Sequence, residues 1–191
     1  MHNPLHSFFA IVLGLFLGLA SVWLALEQNW GFDRVTLGPW IGEPRAGGVD
    51  ADPYTRALIV QQAQIPLGGG EGVAFNATTD NDGNTLRANC TYILRGSALP
   101  TRWWTLTVSD PSGALFTNPL NRHGFTSQEV TRTEDGEFRV IISSRVQPWN
   151  WLPIPPDGPL RLTLRFYDTP LTTPAGLQKQ ELPAIRRESC T

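Results

Sequence analysis

A run of 20 residues without a charged side chain, Ser7 to Leu26, restricts how this chain folds. About 20 apolar helical residues cross a hydrocarbon core of roughly 30 Å, so the run predicts a transmembrane helix over residues 7–26. Trp23 and Trp30 lie at or near its C-terminal end, where indole rings prefer the membrane interface. We therefore assign residues 1–30 to an N-terminal transmembrane anchor.

A cleaved signal peptide is the alternative reading of the same segment. The tripeptide Gly18-Leu19-Ala20 has the small-residue form of a cleavage site. However, no Lys or Arg precedes the run, and its apolar character continues beyond Ala20 to Leu26. These two observations favour an uncleaved anchor.

Two glycines in the apolar run, Gly14 and Gly18, have the GxxxG spacing that lets transmembrane helices approach closely. The spacing makes homodimerisation through this face an alternative to be tested. Small residues are common in such helices for other reasons, so the motif alone does not establish a dimer.

The residues after the anchor divide into a connector and a domain. Turn-forming Gly-Pro and Glu-Pro pairs punctuate residues 31–49, which we assign to a juxtamembrane connector. Asp52 and Pro53 then have the form of a helix N-cap followed by proline at the first helical position, so a short soluble helix is predicted to about Gln64. Residues 50–191 are assigned to one domain.

From residue 71 onward, apolar and polar residues alternate with the two-residue period of strands. The clearest strand ends at Tyr167, with Arg161, Thr163 and Arg165 on its outward face. Segments on either side of the Asp80–Asn84 turn are predicted to pair as a hairpin. With 16 Pro, 18 Gly and only 17% charged residues, the chain is typical of an all-β fold. Seven or eight antiparallel strands predict a β-sandwich or jelly-roll-like domain.

A ten-residue stretch from Gln147 to Pro156 contains two tryptophans and four prolines. Because proline fixes φ and lacks an N–H donor, this stretch cannot be a helix or a central strand. We predict a rigid aromatic loop clamped onto the β core.

The two cysteines, Cys90 and Cys190, are predicted to form a disulfide that ties the C-terminus to a strand. The bond closes a loop of 100 residues, which is worth about 4 kcal/mol or more in the chain-entropy model. The alternative is two unrelated free thiols. One Met and one Lys are typical of a bacterial high-GC coding bias, and disulfides persist outside the cytosol. Together these features favour the bacterial inner membrane with a periplasmic C-terminal domain. Arg34 and Arg45 follow the anchor and weakly favour the opposite orientation.

Several classes of site lack support in the sequence. It has no CxxC motif or Cys/His cluster, no nucleophile or phosphate-loop motif and no basic stripe, so we predict no metal, no cofactor and no nucleic-acid partner. The Asp80–Asn84 segment superficially resembles a calcium loop, but position 12 of such a loop would be Thr91 instead of Glu. A turn is the favoured reading, with a weak exposed cation site as the alternative.

Candidate ligand-binding residues combine aromatic and polar side chains around the proline-rich stretch. Exposed tryptophans suit a binding surface, although core packing is the plainer explanation. An Arg–Tyr–Asn cluster would suit a carboxylate or phosphate, while the asparagine alone would suit backbone hydrogen bonds. The candidates are Trp103, Trp149, Asn150, Trp151, Arg165 and Tyr167.

Several segments in series resemble the bacterial domain-of-unknown-function 1214 family, in a short, membrane-anchored form. The resemblance covers most of residues 38–187 and implies a β-rich, often exported domain with no established reaction. Many relatives carry a second β domain where this chain has its apolar helix. The segments are Asp52–Ala57, Asp80–Leu86, Tyr92, Leu99–Thr107, Asn150–Pro153 and Leu164–Tyr167.

Three functional hypotheses follow. The leading one is a membrane-anchored, non-catalytic envelope module for binding or assembly, with an envelope polysaccharide or a protein as partner. The second is an enzyme acting on a glycan or small polar substrate near the Trp149–Pro153 loop. The third is a structural membrane protein that pairs through Gly14 and Gly18.

Overall fold

The computed structural model describes residues 4–27, 34–61, 65–177 and 180–190. The first helix, α1 (Pro4–Glu27), is long and apolar enough to cross a membrane, a property that signal sequences near an N-terminus share. Its side chains are mostly exposed, including Trp23 at 64%. Trp30, predicted to lie near the membrane interface, is outside the described residues.

The GxxxG glycines lie on an open face of α1. A Cβ atom added at Gly14 or Gly18 would meet nothing within 4 Å. Dimerisation through this face stays a prediction, which replacement of both glycines by Leu and a self-association assay would test.

The rest of the described chain is mostly strands. The second helix, α2 (Pro53–Gln61), begins as predicted: the Asp52 carboxylate accepts hydrogen bonds from the Tyr54 and Thr55 amides at 2.9 and 3.0 Å. The end predicted near Gln64 lies outside the described residues. A 3₁₀ turn (Pro170–Thr172) and a four-residue helix, α3 (Pro174–Leu177), follow late in the chain. The strands are β1 (Val35–Leu37), β2 (Trp40–Gly42), β3 (Gly72–Ala77), β4 (Cys90–Gly96), β5 (Trp103–Ser109), β6 (Gly124–Thr126), β7 (Phe138–Ser143), β8 (Asn150–Pro153), β9 (Arg161–Tyr167) and β10 (Ala184–Cys190).

The strands form two sheets, which confirms the all-β prediction. The larger sheet has the order β1-β2-β3-β9-β5-β6, and the smaller has the order β10-β4-β7-β8. All neighbours are antiparallel except β7 and β8, which are parallel, so the expectation of purely antiparallel strands is wrong at that pair. Apolar faces of both sheets contribute to one buried core.

Contacts between the sheets show how the sandwich is closed. Trp104 on β5 stacks on Phe138 on β7, with ring centroids 4.8 Å apart. Trp40 on β2 is fully buried, and its indole N–H donates to the Pro183 carbonyl just before β10 at 2.7 Å. The first strand of the larger sheet begins at Val35, within residues 31–49, which the sequence analysis assigned to a connector.

The predicted hairpin around Asp80–Asn84 is wrong. Strand β3 lies in the larger sheet and β4 in the smaller one, and only an isolated bridge between Thr79 and Thr85 joins the two arms. Both strands carry one apolar face, and a crossover between sheets turns these faces toward each other. The turn is therefore the point where the chain passes from one sheet to the other.

The proline-rich stretch contains the short strand β8, so the prediction of a loop is wrong at Asn150–Pro153. This strand lies at the edge of the smaller sheet, where a missing N–H on the open side costs little. The exclusion of a central strand is confirmed by that position.

Candidate functional site

The polar atoms of the Asn150 side chain are occupied by hydrogen bonds that hold the smaller sheet together. It is 4% exposed; its Oδ1 accepts from the Thr131 amide at 2.8 Å, and its Nδ2 donates to the Thr131 and Arg139 carbonyls at 2.9 Å each. The neighbouring Trp151 donates its indole N–H to the Ser143 carbonyl at 2.9 Å. Trp149 is 68% exposed with a φ of 68°.

The other three predicted site residues lie on the larger sheet. Trp103 and Tyr167 are cross-strand neighbours on β5 and β9, and Trp103 is 43% exposed. Both border a cavity of about 540 Å³, together with Glu71 and Arg102. Arg165 lies two residues before Tyr167 on the same face. The structure thus brings Trp103 and Tyr167 together, but it places Asn150 in the other sheet, bonded to Thr131 and Arg139.

A larger groove, of about 920 Å³, crosses the outer face of the larger sheet. Strands β3, β9 and β5 form its floor, and α2 with residues 65–67 forms one wall. We call it the arginine groove. Its charged lining residues are Arg34, Glu43, Arg161 and Arg165.

Two of these arginines stand on the groove floor. Arg161 and Arg165 share the outward face of β9, and neither guanidinium makes a hydrogen bond or ion pair to the residues that the structure describes. The Nε of Arg161 is buried and unpaired. Because buried polar groups normally have partners, this N–H of a groove-lining residue is an unsatisfied donor.

The electrostatics of Arg161 reflect this crowding. Burial lowers the pKa of Arg161 below its usual value, the charge of Asp110 opposes the shift, and the charge of Arg165 adds to it. The two cations are therefore close enough to repel each other. An anion between them would relieve the repulsion and accept from the unpaired donors.

Thr163, between the two arginines, orients a further polar group. Its hydroxyl donates to Oδ1 of Asn76 on β3 at 2.8 Å. This bond leaves the amide N–H groups of Asn76, which also lines the groove, as donors. The floor thus offers mainly hydrogen-bond donors.

Glu43 is the acidic group among the lining residues that the structure describes. Burial raises its pKa, the charge of Arg34 opposes this shift, and the charge of Asp52 adds to it. Three arginines and one glutamate thus line the groove.

The Asp80–Asn84 turn does not provide the exposed cation site that was its alternative reading. The Asp80 carboxylate is 1% exposed and accepts from the amides of Asp82 and Asn84, and from the Arg187 guanidinium at 2.9 Å. Within residues 4–27, 34–61, 65–177 and 180–190, no three His, Cys, Asp or Glu side chains come together as metal ligands.

The sequence predicted Arg165 as a binding residue but missed Arg161, Asn76 and Glu43. A signal for Arg161 was present, because the two-residue period places it on the same outward face of β9 as Arg165. Asn76 comes alongside because β3 pairs with β9. This pairing joins Asn76 to Thr163, 87 positions away, and nothing in the local sequence pattern indicates it.

Residues 71–171 match the model of a family described as a protein of unknown function, DUF1214. The match spans 101 of the 191 residues. The chain belongs to the DUF1214 family. The DUF1214 match contains β3, β5 and β9, the floor of the arginine groove, whereas α1, α2 and β10 lie outside it.

Two solved structures are similar to this DUF1214 chain. The VPA0106 protein from Vibrio parahaemolyticus is 20% identical, with a TM-score of 0.63 over 99% of this chain and 47% of that one. An uncharacterized protein from Burkholderia cenocepacia is 16% identical, with a TM-score of 0.43 over 77% of this chain and 48% of that one. The chain thus spans about half the length of each, and the first likeness supports the fold alone. No curated protein matches the chain.

Proposed function

We propose that this protein is a membrane-anchored, non-catalytic envelope module that binds an anionic ligand in the arginine groove. The buried, unpaired Nε of Arg161, beside Arg165 on the groove floor, is the observation that carries the proposal. A carboxylate or phosphate suits planar guanidinium groups, which donate two parallel hydrogen bonds to such an anion. An envelope polysaccharide with carboxylates or phosphates is one such ligand, and an acidic segment of a partner protein is another.

The placement in the envelope rests on two further features. Helix α1 supplies an anchor of suitable length, and the Cys90–Cys190 disulfide suits an oxidising space such as the periplasm. A reporter enzyme fused after Thr191 tests the orientation. Activity of a reporter that works only in the cytoplasm would overturn the periplasmic assignment.

The hypothesis of an enzyme site near residues 149–153 gains no support from the groups there. The Asn150 amide and the Trp151 indole N–H are both bonded to other parts of the protein. Trp149, exposed on the smaller sheet, and Trp103, beside Tyr167 on the larger, remain candidates for stacking on a sugar ring. They are secondary to the groove because neither brings a charge of its own.

The binding proposal is tested with the full chain in phosphatidylcholine nanodiscs. Inorganic phosphate, citrate and an oligogalacturonate are titrated by calorimetry against the wild type and Arg161→Gln/Arg165→Gln. We expect saturable binding of at least one anion and a loss of about 100-fold in the double variant, since two charge-assisted bonds are removed.

A matched control comes from the smaller sheet. Arg95 on β4 and Arg139 on β7 are register partners in the smaller sheet. Arg95→Gln/Arg139→Gln therefore removes the same charge far from the groove floor. We expect its affinity to stay within about twofold of the wild type. Equal losses in both variants, or no binding of any anion to the wild type, would refute the proposal.

A further inference from the structure

The arginine groove has an apolar wall opposite its cationic floor. Helix α2 and the segment after it contribute this wall, while the facing turn after β5 adds Leu115. Leu115 is 53% exposed and Ile65 is 91% exposed, although both line the groove. The apolar side chains of the wall are Leu58, Ile59, Ile65, Pro66 and Leu67.

The wall lies beside the end of the apolar helix. Ala25, near the C-terminal end of α1, is buried, and α1 contacts α2. Val60 on α2 is 80% exposed, and Val49 ahead of α2 is 87% exposed. If α1 crosses the membrane, these exposed valines and the groove wall on α2 lie near the membrane surface, where exposed apolar side chains can be buried among lipids.

We infer that the arginine groove takes an anionic lipid from the membrane that α1 enters. The head group, a phosphate or carboxylate, lies between Arg161 and Arg165, and an acyl chain lies along the wall formed by α2 and residues 65–67. This inference rests on the anion-binding function proposed above and adds the chemical class of the ligand.

Three properties of the groove fit this ligand. Its volume of about 920 Å³ lies in the upper part of the range for ligand sites. Three arginines and one glutamate line it, so its charge complements an anionic head group. The apolar wall offers burial for the methylene groups of an acyl chain, which an anion without a chain cannot use.

The experiment compares three probes on the full chain in phosphatidylcholine nanodiscs, with empty nanodiscs subtracted. Octyl phosphate, below its critical micelle concentration, carries both head and chain; inorganic phosphate lacks the chain; octyl glucoside lacks the charge. We expect octyl phosphate to bind at least about tenfold more tightly than inorganic phosphate and octyl glucoside. Arg161→Gln/Arg165→Gln removes this preference over the neutral probe.

Variants in the apolar wall distinguish the contribution of the acyl chain to binding from that of the head group. Ile59→Ser/Ile65→Ser is expected to weaken octyl phosphate about tenfold and to leave inorganic phosphate unchanged. Val60→Ser, at an exposed apolar position of α2 outside the lining, is the matched control and keeps wild-type affinity.

The outcomes distinguish the two proposals. Equal binding of octyl phosphate and inorganic phosphate, lost in the arginine variant, overturns the lipid inference and keeps the anion site. Equal binding of octyl phosphate and octyl glucoside, or no binding of octyl phosphate, overturns the lipid inference. The anion site is overturned as well when inorganic phosphate, citrate and oligogalacturonate all fail to bind the wild type.

Discussion

Arg187 on β10 donates to the fully buried carboxylate of Asp80 at 2.9 Å, joining the last strand to the turn between the sheets. Asn81 strengthens the same junction: its side chain accepts from the Ile185 amide at 2.6 Å, and its own amide donates to the Ile185 carbonyl at 3.0 Å. The turn therefore serves as a clamp for β10.

The Asp80–Arg187 pair is predicted to be coupled energetically. In a double-mutant cycle of Asp80→Asn and Arg187→Gln, we expect a coupling of about 1–2 kcal/mol, because the carboxylate is desolvated and the guanidinium is only partly exposed. Urea denaturation of the four proteins measures it. A cycle of Asp80→Asn with Arg186→Gln, at the exposed neighbouring position, should give a coupling near zero.

The same pair predicts how stability depends on pH. Burial opposes ionisation of Asp80, but hydrogen bonds from Asn84 and the contact with Arg187 outweigh it and hold its pKa below the usual value. A carboxyl with a depressed folded pKa binds fewer protons when folded, so its stabilisation is present above the unfolded pKa of about 3.9 and is lost as pH falls toward the folded pKa.

We therefore expect Asp80→Asn to be less stable than the wild type at neutral pH and less sensitive to acid below about pH 4. Urea midpoints measured at several pH values test this expectation. Parallel pH profiles for the two proteins would contradict it.

Loss of the Cys90–Cys190 disulfide is predicted to destabilise the domain. The bond spans 100 residues and lies between register partners of β4 and β10. In the chain-entropy model its loss costs about 4–5 kcal/mol. Denaturation of the wild type with and without reductant, beside Cys90→Ser/Cys190→Ser, measures the cost.

Two controls apply to the disulfide. Reductant should leave the midpoint of the double serine variant unchanged, and intact mass of the wild type should rise by about two protons' mass on reduction. Labelling of the unreduced wild type by a thiol reagent under denaturing conditions would show that the bond is absent.

Asn150 is predicted to contribute stability instead of binding. Asn150→Ala leaves the Thr131 amide and the Thr131 and Arg139 carbonyls without their partner, which should cost about 2–3 kcal/mol. Anion affinity in the arginine groove should not change, because Asn150 lies in the other sheet. A calorimetric titration at a temperature where the variant is folded separates the two effects.

The sequence predicted what depends on local period and chemistry. The alternation Leu162, Leu164, Phe166 identified β9, the Asp-Pro pair placed the start of α2, and two cysteines identified the disulfide. These features are set by one strand, one helix start or a single pair of thiols.

Pairing between strands was harder to predict. Strand β6 is only three residues long and packs against β5, and β8 pairs in parallel despite its prolines. Such short strands are set by their neighbours more than by their own composition, because cross-strand contacts override β propensity. The arginine groove was not predicted from the sequence for the same reason, because it forms only where β3, β9, β5 and α2 come together.

The unpaired Arg161 leads to a prediction about the free protein. Its buried Nε has no partner, and burial disfavours its charge more than the nearby Asp110 favours it, so we expect the residue to destabilise the unliganded fold. Sites built for a ligand commonly carry such a cost.

We therefore expect Arg161→Met, which keeps the apolar stem, to raise the free energy of unfolding by about 1 kcal/mol without ligand, while anion binding weakens. Arg95→Met, at an exposed position on β4, should change it by less than about 0.5 kcal/mol. A loss of stability in Arg161→Met would mean that the guanidinium is satisfied in the free protein, and Arg161 would then have no open donor to offer a ligand.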